Sequence, residues 1–199
     1  MKHLILLLLF ISCTREETKT IEIKAIPKEL FTTTQSYEIS CWIIKRGEGY
    51  SSKPYLCSAG KRTVGWGMTN IKSVKNIQHA DKIFKELRNK LFKQVEKEYP
   101  TLTYLQKSAI LSLYYNTGSL EKIKNSGFSK ALVLKDNKKA IENFKKWCKI
   151  SINKKIIIIK GLQNRRTYES KLLNGTFTMN DYQVLKKEIE HIYVLNKTT

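Results

Sequence analysis

Three residues in the first third of the chain carry side chains that could do chemistry together. Glu48 stands between Gly47 and Gly49; Cys57 follows after eight intervening residues and Thr63 after five more, inside Thr63-Val64-Gly65-Trp66-Gly67. A carboxyl group can give or take a proton, a thiol can attack or hold water, and a hydroxyl can orient water by hydrogen bonding. Singly, each has an ordinary explanation: a solvated turn acid, a buried small residue or half of a disulfide, a β-branched strand residue. Trp66 likewise fits core or lobe packing as well as a platform for a ligand ring. Together they describe more. An acid at a helix end, faced by a hairpin that returns a thiol and a hydroxyl, makes a small cleft with three polar groups.

The surrounding pattern supplies the elements that would position them. Ile39, Trp42 and Ile43 are spaced i, i+3, i+4, one face of a helix, with Gly47 as its stop. From Gly49 to Gly67 the chain is rich in Gly, Ser, Thr and aromatics, with Pro54, which reads as short strands joined by turns. A long helix is expected from Ile77 to Tyr99, apolar at Ile77, Ala80, Phe84, Leu87, Leu91 and Val95 and ended by Pro100. Further helices are expected at 104–115, 128–135, 138–148, 161–173 and 180–194, and there is no internal repeat. The expected fold is α+β: a small β-hairpin lobe and a larger helical lobe joined by the long helix.

At this point the residues resemble a known family. The Glu48, Cys57, Thr63 spacing is similar to the catalytic triad of phage-type lysozymes, the endolysins of glycoside hydrolase family 24. The flanks agree, with Tyr55 before Cys57 and Gly60 before Thr63-Val64-Gly65-Trp66-Gly67. Downstream, Gln106-Lys107-Ser108-Ala109-Ile110-Leu111-Ser112-Leu113-Tyr114-Tyr115-Asn116-Thr117-Gly118 looks like the family helix that ends in aromatic-Asn-x-Gly. Phe144, Trp147 and Gly161-Leu162-Gln163-Asn164-Arg165-Arg166-Thr167-Tyr168-Glu169 resemble its Phe-x-x-Trp and Gly-Leu-x-x-Arg-Arg-x-x-Glu segments. The resemblance spans about residues 38 to 174 in family order. It implies a lysozyme-like domain over 37–176 that degrades peptidoglycan, catalytic Glu48, Cys57 and Thr63, and substrate contacts from Tyr55, Trp66, Asn116 and Arg165. Many members have aspartate where this chain has Cys57; a branch of phage endolysins carries cysteine there and often begins with an export or signal-anchor segment.

The residues themselves support glycoside hydrolysis, in which an acid protonates the leaving oxygen while positive charge develops on the sugar. The negative end of the preceding helix and burial in a cleft both favour a protonated Glu48. Arg165 or Arg166, if close, would favour the carboxylate. A thiol is mostly protonated at neutral pH, so Cys57 either has its proton removed locally or positions water together with Thr63. A covalent sugar–sulfur intermediate is a third option. No metal or organic cofactor is required. The expected product is cleavage of the β-1,4 bond between N-acetylmuramic acid and N-acetylglucosamine, for bacterial cell lysis by a phage. The alternative is an inactive exported wall-binding protein with the same fold.

Composition and ends narrow partners and compartment. Of 199 residues, 37 are Lys or Arg and 17 Asp or Glu, a net charge of +20, which selects anionic partners. Twelve lysines against three acids fall in 121–160, and Lys45, Arg46, Lys53, Lys61 and Arg62 add to the β-lobe. Peptidoglycan and its attached polymers fit; nucleic acid does not, since no helix-turn-helix, zinc or basic-zipper pattern is present. Lys2 precedes the apolar run Leu4–Ile11, too short to span a bilayer and followed by Ser12-Cys13, as in an export signal. Ser12-Cys13 also resembles a lipoprotein cleavage box, so residues 1–13 are expected to export the chain, with membrane attachment if Cys13 is lipidated. Residues 14–36 read as a linker and 177–199 as a helical extension without an assigned role. The protein is expected to be a monomer, periplasmic or membrane-anchored facing the wall. Beyond Cys13 three cysteines remain, allowing a Cys41–Cys148 bond, a Cys41–Cys57 bond, or three thiols.

Overall fold

The computed structural model describes residues 31–57, 60–152 and 155–196. Its first helix, α1 (Thr33–Glu48), starts earlier than the apolar spacing indicates because Thr32 caps it. The Thr32 hydroxyl accepts from the Gln35 backbone N–H while the Gln35 side chain accepts from the Thr32 N–H, a reciprocal capping box. The end of the expected linker is therefore structured, and Phe31 is already buried in the core. The expected export segment and residues 14–30 lie outside the described residues. At its other end α1 runs through Gly47 and stops at Gly49, whose φ of 67° is in the left-handed region. Glu48 is thus the last helical residue rather than the first one beyond.

Three short antiparallel strands follow in order, β1 (Ser51–Leu56), β2 (Arg62–Gly65) and β3 (Met68–Thr69). Tyr55 pairs with Thr63 across the first two strands, so their side chains share a face. Cys57, two residues past Tyr55, falls on the same side by the strand period. The long helix α2 (Ile77–Glu98) is capped by Asn76 and turns Ile77, Ala80, Phe84 and Val95 into the core. In α3 (Tyr104–Thr117) every residue from Lys107 to Leu113 is buried, because α1, α2 and a later helix pack around it.

The rest of the helical lobe is α4 (Leu120–Lys124), α5 (Gly127–Val133), α6 (Asn137–Lys145), a 3-10 turn over Lys146–Cys148, α7 (Lys160–Leu173) and α8 (Met179–Leu195). Between the 3-10 turn and α7 lies a hairpin, β4 (Lys149–Ile152) paired with β5 (Lys155–Ile158), where sequence periodicity suggested no element. A run of four isoleucines has neither a period of two nor one of 3.6, so it left no signal. The expected helix over 138–148 accordingly ends at Lys145. Helix α8 is not an appendage: its Tyr182 and Leu185, with Phe177 just before it, belong to the main hydrophobic cluster with Phe31, Ile39 and Ile43. The domain therefore extends beyond residue 176.

Candidate active site

Glu48 ends α1 at the mouth of a cleft of about 420 Å³ between the small sheet and α3. Cys57 and Thr63 line the same cleft, with Tyr55 and Asn116, so the sheet register and the helix end bring the expected triad together. The Glu48 carboxylate is held from behind: its Oε1 accepts from Arg165 Nη1 at 2.6 Å. Arg165 is itself fixed by Ser112, donating from Nε to the hydroxyl at 3.1 Å and from Nη2 to the carbonyl at 2.9 Å. Its Nε also lies 3.4 Å from Glu169 Oε1, and Arg166 Nη1 lies 2.8 Å from Glu169 Oε2. Glu169 is fully buried. Burial pushes its carboxyl toward the protonated form, and the two guanidiniums pull against that.

Two glycines make room for this arrangement. A β-carbon at Gly47 would lie 2.9 Å from Arg165 Nη1, which is why glycine stands inside the last turn of α1. At Gly67 a β-carbon would lie 2.5 Å from Glu48 Oε2. The carboxylate is therefore held between an arginine on one oxygen and a bare backbone beside the other.

Thr63 is buried, and its hydroxyl donates to the Lys61 carbonyl at 3.0 Å, which leaves the oxygen as an acceptor toward the cleft. The Cys57 backbone closes the hairpin loop, its N–H donating to Lys61 O at 3.0 Å and its carbonyl accepting from Gly60 N–H at 2.8 Å. Asn116 accepts from Arg166 Nη2 at 3.0 Å, so its NH2 group is the donor left for the cleft. Tyr55 is 40% exposed at the rim, and burial, then the charge of Glu48, raises its phenol above the ordinary value.

Two expected substrate contacts are placed elsewhere. Trp66 has no exposed surface; it packs against Tyr50 and Tyr193 at 5.2 Å and 5.7 Å between ring centroids, and its Nε1 donates to Asp81 Oδ1 at 2.7 Å. The indole thus serves the core, and only its neighbour Gly67 borders the cleft. Arg165 does not line the cleft either, since all its nitrogens are turned toward Glu48, Ser112 and Glu169. Tyr115, whose type and spacing alone mark no role, lines the cleft and donates from its hydroxyl to the Trp66 carbonyl at 2.8 Å. Burial, and then the nearby Glu48 charge, push its phenol far above the ordinary range, so it stays a donor.

Of the alternatives for the cysteines, neither the Cys41–Cys148 nor the Cys41–Cys57 bond is formed, because Cys41 and Cys148 are both thiols. Cys41 is half-buried beside Tyr37, Ser40 and Arg88, and desolvation of its thiol raises its pKa. Cys148 ends the 3-10 turn, which packs on α7. Among the described residues no group of three or more His, Cys, Asp or Glu side chains is placed to hold a metal ion, and no helix is long and apolar enough to cross a membrane.

The phage lysozyme family matches residues 45–169, from just before Glu48 to Glu169. The chain belongs to that family. An endolysin from Acyrthosiphon pisum secondary endosymbiont phage 1 is 34% identical over 137 residues, covering 67% of this chain and 93% of the relative. Among solved structures, the endolysin from Escherichia coli O157:H7 phage FAHEc1 aligns with a TM-score of 0.59 at 21% identity, over 73% of this chain and 94% of that one. The muramidase domain of SpmX from Asticaccaulis excentricus aligns at 0.61 with 20% identity, over 68% and 94%. The fold is lysozyme-like and α+β, as in these two solved structures.

Proposed function

We propose that the protein is an exported muramidase that hydrolyses the β-1,4 bond between N-acetylmuramic acid and N-acetylglucosamine in bacterial peptidoglycan, serving cell lysis by a phage. The observation that carries this reading is the carboxyl of Glu48 at the end of α1, in one cleft with Cys57 and Thr63. In this role Glu48 passes a proton to the leaving glycosidic oxygen from Oε2, since Oε1 is bound to Arg165. Cys57 and the Thr63 oxygen position the water that attacks the anomeric carbon. Tyr55 and Asn116 offer an aromatic edge and an amide donor to the sugars. Residues 1–13 take the chain out of the cytoplasm to work in the periplasm or on the membrane facing the wall, as a monomer.

Clearing of a bacterial wall suspension tests the proposal. Glu48→Gln keeps the shape and loses the proton, so it is expected to abolish clearing while the circular dichroism spectrum and melting stay near wild type. A fully active Glu48→Gln variant overturns the assignment. A wild-type protein that sediments with walls without clearing them would instead be a binder with a lysozyme fold.

A further inference from the structure

One half-buried cluster is left unused by this reading, and it lies behind the turn that borders Glu48. Lys45, one turn before Glu48 on α1, is buried and donates from Nζ to Asp81 Oδ1 and to the Tyr193 hydroxyl, each at 2.6 Å. Tyr193 donates in turn to Asp81 Oδ2 at 2.5 Å, and Trp66 Nε1 donates to Asp81 Oδ1 at 2.7 Å. The same ammonium lies 4.8 Å, 5.3 Å and 5.2 Å from the ring centroids of Trp66, Phe84 and Tyr193. Asp81, in the first turns of α2, thus joins three further parts of the chain: α1, α8 and the turn between β2 and β3.

Trp66 is gripped at both ends by this arrangement, its indole by Asp81 and its carbonyl by the Tyr115 hydroxyl. The next residue is Gly67, whose missing β-carbon leaves the space that Glu48 Oε2 occupies. Any shift of Trp66 therefore moves the backbone against which the carboxyl rests. The other oxygen is held independently by Arg165, and neither Tyr55 nor Asn116 takes part in the cluster.

We propose that Tyr193 is a positioning residue for the general acid: through Asp81 and Trp66 it holds Gly67 against the free oxygen of Glu48. The proposal rests on the reading of Glu48 as the proton donor. Tyr193 stands on α8, outside the matched residues 45–169, and gives that helix a part in the reaction. Without the hydroxyl, Asp81 Oδ2 and one Lys45 proton lose their partner, and the carboxylate that holds Trp66 Nε1 through Oδ1 is no longer braced at its other oxygen, so Trp66 is held less firmly. Substrate still binds through the cleft wall, but the proton leaves from a misplaced oxygen. Sub-ångström misplacement of a reacting group lowers the turnover step rather than binding.

The test is Tyr193→Phe in the full chain, assayed on soluble dye-labelled peptidoglycan at a temperature where circular dichroism shows the variant folded. The expected result is a fall in kcat of about tenfold with KM within about twofold of wild type. Trp66→Phe, which keeps a ring and loses the Nε1 donor, is expected to lower kcat similarly, and the double variant to fall no further than the worse single one. It carries the same test from the other end should Tyr193→Phe not fold. Wild-type kcat in the folded variants, or a loss that only follows the unfolded fraction, overturns the proposal. Glu48→Gln is assayed alongside: an active Glu48→Gln removes the acid itself, whereas an inactive one with wild-type Tyr193→Phe removes only the role of Tyr193.

Discussion

At Gly67 two constraints meet: a φ of 73°, which side-chain-bearing residues adopt at a cost of about 1–2 kcal/mol, and the Glu48 Oε2 atom 2.5 Å from where a β-carbon would stand. Gly67→Ala is therefore expected to destabilise the fold by about 1–2 kcal/mol and to lower wall clearing by much more than that loss of stability explains, because the methyl group displaces the carboxyl. Parallel melting and activity curves check it; a clearing rate that only follows the folded fraction would count against it. At Cys57 the question is which property of the side chain matters. If the position handles water, Cys57→Asp is expected to keep substantial clearing and Cys57→Ala to lose most of it. An Ala variant with wild-type activity would make Cys57 a packing residue, and a sugar–sulfur adduct in mass spectra of stalled reactions would make it a nucleophile.

Helix α8 depends on its first turn, where Thr178 and Asp181 bond reciprocally and Lys171 Nζ reaches Asp181 Oδ1 at 2.5 Å. Burial pushes the Asp181 carboxyl up, but the bonds from Lys171 and Thr178 outweigh it and hold the group below the usual carboxylate value. A depressed carboxylate stabilises the fold fully above the unfolded pKa, about 4, and loses that contribution as pH falls through the folded value. Asp181→Asn is thus expected to melt lower than wild type at pH 7, by the equivalent of about 1 kcal/mol, with the gap closing below about pH 4. A gap that persists undiminished at the acid end would contradict it. The elements themselves were largely readable: α2 carries an apolar stripe over its whole length, and Glu48, Cys57 and Thr63 announce themselves by type and spacing. What stayed hidden depends on the third dimension. The burial of Trp66 is decided by Asp81 and Tyr193, 15 and 127 positions further along the chain, and Arg165 meets Glu48 across 117 positions. The β4–β5 hairpin hid because its isoleucines repeat without a period.

Over the whole molecule the +20 charge is concentrated where residues 121–160 set twelve lysines against three acids. A field of one sign speeds encounter with an anionic wall, and salt shortens its reach from about 8 Å at physiological ionic strength to about 3 Å at 1 M. Initial clearing of intact walls is expected to fall about tenfold between about 0.05 M and about 0.5 M salt, while hydrolysis of short uncharged fragments changes little. Equal salt dependence for both substrates would mean that the charge does not serve encounter. The wide spacing of the contacts around α1 has one more effect, on time. Arg165 follows Glu48 by 117 positions and Tyr193 follows Lys45 by 148. A ribosome adding about 5–20 residues per second makes α1 on the order of ten seconds before Arg165 exists, and α8 follows α7. A growing chain therefore holds its acid without the arginine that orients it, and a chain broken off before residue 165 never acquires it. The acid is therefore the early part of the cleft and its orienting arginine a late one, so the order of synthesis separates having the carboxyl from having it aimed.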